Sequence, residues 1–138
     1  MSAPRTVVTF SSTAFNSTVV RPYFLNPLCF GDDLAQYLVC QLEKNGHPAE
    51  TPAQEDFGWY FRFLIDGKAH LFLVGRRPVE DDWLGSIERV PFLMFRRPVD
   101  SGAVQAIDAA LSDREIFENV RWHNADEFDA EEQQRSNP

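Results

Sequence analysis

The stretch from Trp59 to Val74, WYFRFLIDGKAHLFLV, decides the fold. Two β-prone apolar segments flank Asp66-Gly67, a pair that tolerates the positive φ angles a type I′ turn requires at both central positions. The stretch reads as a β-hairpin. A two-residue loop sets its register: Ile65 faces Lys68, Phe63 faces His70, Phe61 faces Phe72 and Trp59 faces Val74. Those residues share an aromatic face, while Tyr60, Arg62, Leu64, Ala69, Leu71 and Leu73 point the other way onto a face that is still largely apolar.

The rest of the chain builds around this hairpin. Thr6 to Ser11 reads as a first strand, followed by a Ser/Thr/Asn-rich connection and a short extended piece over Val19 to Leu25. Asp32 or Asp33 is placed to cap a helix, since a carboxylate accepts the free amide protons of the first turn and complements the helix dipole. Leu34, Ala35, Leu38 and Leu42 form its buried stripe and Gly46 ends it. His47 to Gln54, with two prolines, is a surface connection. After Pro78, Trp83 to Val90 and Phe92 to Arg97 supply further extended segments, with Pro91 as a divider, bulge or bend. Asp100 or Ser101 caps a second helix with Val104, Ile107 and Leu111 inward. Ile116 to Trp122 reads as the last strand.

Strands in succession demand antiparallel pairing, and two amphipathic helices suffice to cover one sheet face. The expected fold is therefore α+β: a two-layer sandwich, mainly antiparallel, with two helices on one face. At 138 residues the chain suits one domain, placed at 1–123. Residues 124–138 are polar, acidic and proline-terminated, which predicts a flexible tail.

Charge and composition limit what such a domain does. The net charge is −8, and it is distributed as −3 over residues 1–57, +2 over 58–99 and −7 over 100–138. Nucleic acid phosphates are repelled by such a surface, and alternation along strands scatters the paired arginines, so no nucleic-acid partner is expected. The sequence has no 18-residue apolar run and no charged-then-apolar leader pattern at its start, which points away from the membrane and towards the cytoplasm. Two cysteines, Cys29 and Cys40, do not make a disulfide framework.

The short motif Glu55-Asp56-Phe57-Gly58-Trp59 carries the most chemistry. Two carboxylates beside a glycine and an indole could meet a cation, a water or a basic partner; solvated loop charge is the plainer reading. A second arrangement sets Trp83 behind Arg76-Arg77 and Glu80-Asp81-Asp82, as an aromatic anchor with a polar rim. His47, His70 and His123 lack the close spacing of zinc ligands, and no CxxC is present, so no metal or other cofactor is expected. His70 lies on the aromatic face opposite Phe63. Nucleophile-elbow, phosphate-loop and dinucleotide motifs are missing.

Asn26 to Leu38, NPLCFGDDLAQYL, together with EDFGW at Glu55 to Trp59, looks like a pairing found in small uncharacterised bacterial hypothetical-protein families. That resemblance implies a bacterial origin and no established activity, so it assigns no residue a role. Size, acidity and the α+β pattern also resemble immunity proteins that neutralise secreted toxins, as an analogy of composition alone.

The resulting expectation is a non-enzymatic cytosolic interaction protein. It would hold a basic protein partner through acidic and aromatic surface, with Glu55, Asp56, Trp59 and Trp83 as binding residues. The alternative is a small-molecule-binding domain or small enzyme with a cleft between sheet and helix, lined by Trp59, Phe61, His70 and Phe72 and made polar by Glu55 and Arg62. Because Tyr60, Leu64, Leu71 and Leu73 need cover on the second hairpin face, a homodimer is the simplest expected assembly.

Overall fold

A computed structural model describes residues 5–25, 29–56, 58–91 and 97–136. The fold is α+β, a six-stranded antiparallel sheet with three helices. In chain order the elements are β1 (Arg5–Ser11), α1 (Asp32–Lys44), β2 (Ala53–Glu55), β3 (Gly58–Ile65), β4 (Lys68–Arg77), β5 (Asp82–Arg89), α2 (Ser101–Ala110), β6 (Glu118–Asn124) and α3 (Ala125–Ser136). The strands lie in the order β2-β3-β4-β5-β1-β6.

The β3–β4 hairpin has the register that its turn demands, with Trp59↔Val74, Phe61↔Phe72, Phe63↔His70 and Ile65↔Lys68. Asp66 at φ 49 and Gly67 at φ 77 provide the two left-handed residues of the turn. β5 extends the meander through Phe72↔Ile87 and Val74↔Gly85. β1 then inserts between β5 and β6, which ties the first strand to the last.

One alternation of side chains supplies the core. Val8, Phe10, Trp59, Phe61, Phe63, Ile65, Phe72, Val74, Trp83 and Ile87 form a single cluster with Leu34, Ala35, Leu38, Val39 and Leu42 of α1 and Ala103, Ala106, Ile107 and Ala110 of α2. In α2 the innermost positions are mostly alanines, with Val104 only partly buried. Of the expected stripe, Ile107 and Leu111 are buried in the core and Val104 is partly buried against it.

Several local expectations change. Gly31, at φ 131, holds the N-cap position of α1, and no side chain caps it. The Asp33 carboxylate instead accepts from the Leu34 amide at 2.9 Å and from the Asn16 amide at 2.8 Å, fastening the preceding loop to the helix. At the other end, the amides of Gly46 and His47 donate to the carbonyls of Glu43 and Leu42, a Schellman closure. Asp100 caps α2 as expected, accepting from the Gly102 amide at 2.8 Å. Val19 to Leu25 forms no strand and runs as turn and irregular chain, while Ala53–Glu55, expected as plain connection, pairs with β3. The last strand begins at Glu118 rather than Ile116. Phe92 to Met94 and Phe95-Arg96, the bulk of the expected segment after Pro91, lie outside the described residues.

Residues 125–136 are helical, an element that the composition of that segment does not suggest. Asn124 starts it, its side-chain oxygen accepting from the Asp126 and Glu127 amides at 3.0 and 3.3 Å. Phe128 is its buried anchor. The ring lies 5.2 Å from that of His123 and beneath the Arg77 guanidinium at 5.4 Å. It shares a shallow hollow with Val7, Leu73 and Leu84, which belong to the alternation opposite the core set. The chain's own third helix thus supplies part of the cover that the second face of the hairpin requires.

Removing the Phe61 ring from the centre of this cluster should destabilise the fold by roughly 3–5 kcal/mol, the usual range for a buried Phe→Ala change. Equilibrium urea denaturation of Phe61→Ala measures it, and a loss below about 1 kcal/mol would contradict the packing described.

Candidate functional site

The two tryptophans expected as surface anchors are both buried, Trp59 6% exposed and Trp83 fully enclosed. Alternation explains this correction: positions 59 and 83 fall on the core face of β3 and β5, where large apolar area is worth most inside. Arg76 lies 5.6 Å over the Trp83 ring and pairs with Asp81, while Arg77 grips Asp82 through two bonds of 2.8 and 2.7 Å. The charges around Trp83 are therefore satisfied within the turn that joins β4 and β5.

The apolar residues of the expected cleft, Trp59, Phe61 and Phe72, pack together as core, and its polar residues Glu55 and Arg62 stand exposed away from them. Arg62 is exposed on the side of β3 opposite Phe61 and Phe63, whereas His70 is fully buried on the core side of β4. His70 is bonded at both ring nitrogens: Nε2 accepts from the Asp100 amide at 3.2 Å, so Nδ1 carries the proton and donates to the Lys68 carbonyl at 3.0 Å. Lys68 also reaches the Asp100 carboxylate at 2.7 Å. This histidine is a clasp between the hairpin tip and the start of α2. His47 closes the turn after α1, and His123 Nε2 shares a 2.8 Å bond with the Thr9 hydroxyl. Among the described residues no group of three or more His, Cys, Asp or Glu side chains could hold a metal ion, and no helix is long and apolar enough to cross a membrane.

Glu55 and Asp56 are exposed where β2 turns into β3. Their surroundings are built by short internal bonds. Trp59 Nε1 donates to the Cys29 carbonyl at 2.9 Å, and the Cys29 thiol donates to the Glu55 carbonyl at 3.2 Å. Burial pushes the Cys29 thiol up, which keeps it protonated as that donor. The Leu25 amide donates to the Gln54 side chain, so the loop after β1 is fastened beside the two acids.

That loop holds what sequence reasoning missed. Val19, Val20, Tyr23 and Leu25 are 58, 48, 56 and 87% exposed, four of the five large apolar side chains that stand in solvent among the described residues. Beside them lie Asp32 and Asp33 at the start of α1. The Tyr23 hydroxyl donates to Asp32, and Arg21 reaches the same carboxylate at 3.5 Å. A hollow of about 370 Å³ lies between Arg21, Tyr23, Asp32, Gln36, Pro52 and Trp59. One end of the molecule therefore combines acids from two segments with a loop that packs Phe24 against the core and leaves Val19, Val20, Tyr23 and Leu25 exposed. The available signal was the run VVRPYFL, too apolar for an ordinary solvated connection, which strand propensity obscured.

No family model, curated protein or solved structure matches this chain.

Burial holds both His70 and His123 below the ordinary imidazole value. Their folded forms thus bind fewer protons than the unfolded chain in the window just below about pH 6.5, the unperturbed imidazole pKa. The associated stability is present in full above that pH and declines as pH falls through it. The urea midpoint should drop between pH 7.5 and 5.0, and the drop should shrink in His70→Gln. An unchanged pH dependence in that variant would show that His70 does not titrate as its burial requires.

Proposed function

We propose that the protein is a non-enzymatic cytosolic binding protein that holds a basic protein partner at the end formed by the 19–25 loop, the start of α1 and the β2–β3 turn. The observation that carries this reading is the exposure of Val19, Val20, Tyr23 and Leu25 on one loop that reaches Asp32 through Tyr23, and Gln54, next to Glu55, through the Leu25 amide. Exposed apolar side chains gathered on one loop mark a surface built to be covered. Carboxylates around them favour and orient a cationic partner, while the apolar loop slows its departure.

In this reading α1 and α2 form the layer over the core face of the sheet, and Trp59 serves as the floor of the site and not as its exposed anchor. The acidic surface then plays the part expected of a protein that captures a basic target, as toxin-neutralising immunity proteins do. Support for a catalytic alternative is weaker, because Arg62 and His70 stand on opposite faces and His70 has both nitrogens engaged.

Binding kinetics against a partner recovered by cross-linking and then purified provide the test. Glu55→Gln/Asp56→Asn should slow association and flatten its salt dependence. Val20→Ser/Leu25→Ser should leave association nearly unchanged and speed dissociation about tenfold or more, as expected for losing two contacts at an interface. Should both pairs of substitutions leave the kinetics untouched, the partner docks elsewhere and the reading is wrong.

A further inference from the structure

We infer that the hollow between Tyr23, Asp32 and Trp59 receives a guanidinium side chain from that basic partner, and that Arg21 of the chain itself holds its mouth in the free protein. The inference rests on the binding function proposed above and names the chemical group that the site selects.

Asp32 is the centre of the argument. Its side chain is only 11% exposed, and one oxygen, Oδ2, already serves both the Tyr23 hydroxyl and the Arg21 Nε. The other, Oδ1, is buried without a hydrogen-bond partner. An ionised oxygen out of water and without a donor is a costly arrangement, and a donor brought in by a ligand would remove that cost.

The walls select the shape of the donor. Tyr23 and Trp59 meet edge to face with centroids 6.2 Å apart, and Pro52 and Gln36 complete the hollow. A flat cation that both stacks on rings and offers several N–H groups suits such walls better than a compact, strongly hydrated ammonium. The chain's own occupant has that chemistry: Arg21 is 41% exposed at its side chain and reaches Asp32 at 3.5 Å, a loose pair at the rim. An incoming arginine on a partner would displace it and reach the unsatisfied oxygen behind.

Titration with N-acetyl-argininamide, followed by NMR at the Trp59 indole N–H and the Tyr23 ring, tests the inference directly. The expected result is a saturable shift at both positions, weaker for N-acetyl-lysinamide. Arg21→Ala should tighten binding about two- to fivefold, the strength of an exposed ion pair, because the internal competitor is gone. Gln36→Lys should abolish the shift by placing a competing cation in the wall; Gln36 is exposed on α1, so the fold is not at risk. Asp32→Asn should also abolish it.

No saturable shift in Arg21→Ala, equal affinity for the lysine analogue, or full binding by Gln36→Lys would each overturn the inference. Failure here separates cleanly from failure of the broader reading. If Glu55→Gln/Asp56→Asn slows the partner while argininamide leaves Trp59 and Tyr23 unmoved, the acidic end binds but the hollow is not its arginine receptor.

Discussion

The two-residue turn at Asp66-Gly67 is the constraint on which the rest of this molecule depends. With both residues left-handed, β3 and β4 can pair only so that Phe61 meets Phe72 and Trp59 meets Val74. A slip of one residue would turn aromatic side chains out of the core and bring Arg62 into it. Once that register holds, β5 pairs along β4, β1 completes the centre of the sheet, and the stripes of α1 and α2 have a surface to meet. The His70 clasp belongs to the same device: its two bonds join the carbonyl beside the turn to the residue that caps α2.

A core so rich in aromatics leaves little large apolar area for function. Trp59, Trp83, Phe61, Phe63 and Phe72 are all taken up inside, and the histidine with the most suggestive neighbours is bonded at both nitrogens. The long connection from β1 to α1 is different. It bridges two elements that are already anchored, by strand pairing on one side and the Leu34–Leu42 stripe on the other. It is docked by Phe15, Phe24, Cys29 and Phe30, which pack in or against the core, so Val19, Val20, Tyr23 and Leu25 between and beside them can stand outward. The Asn16 amide to Asp33 and the Leu25 amide to Gln54 keep it in place without covering it.

The division between what was legible in the sequence and what was not follows from the range of the interactions involved. The hairpin, the α1 stripe and the Asp100 cap are set by residues within one or two turns of each other, and period-two and period-3.6 patterns report them directly. The insertion of β1 between β5 and β6 joins residues far apart in the chain, which no local pattern encodes. Helix α3 escaped notice because its polar face dominates and a single aromatic, Phe128, docks it. For the site, Glu55 and Asp56 were visible as exposed acids, but exposure of an indole depends on which face of a strand it occupies and on what covers that face. EDFGW suggests a surface tryptophan only while the partner of β3 is considered alone; the loop that closes over it comes from 30 residues earlier, through the Cys29 carbonyl.

Such long-range closure also explains why the acids lie where they do. Asp32 and Asp33 are tolerated together because the first turn of a 13-residue helix stabilises negative charge, and Asp33 is further satisfied by two amides. Asp32 has no comparable set: it depends on Tyr23 and Arg21, both on the exposed loop, and keeps one oxygen without a donor. Asp32 is the first residue of the helix and not its N-cap, so unlike Asp100 of α2 it is not placed to bond a first-turn amide. If the proposed binding holds, its position between Trp59 and the half-exposed Arg21 makes the start of α1 the point at which the fold and the partner draw on the same charge.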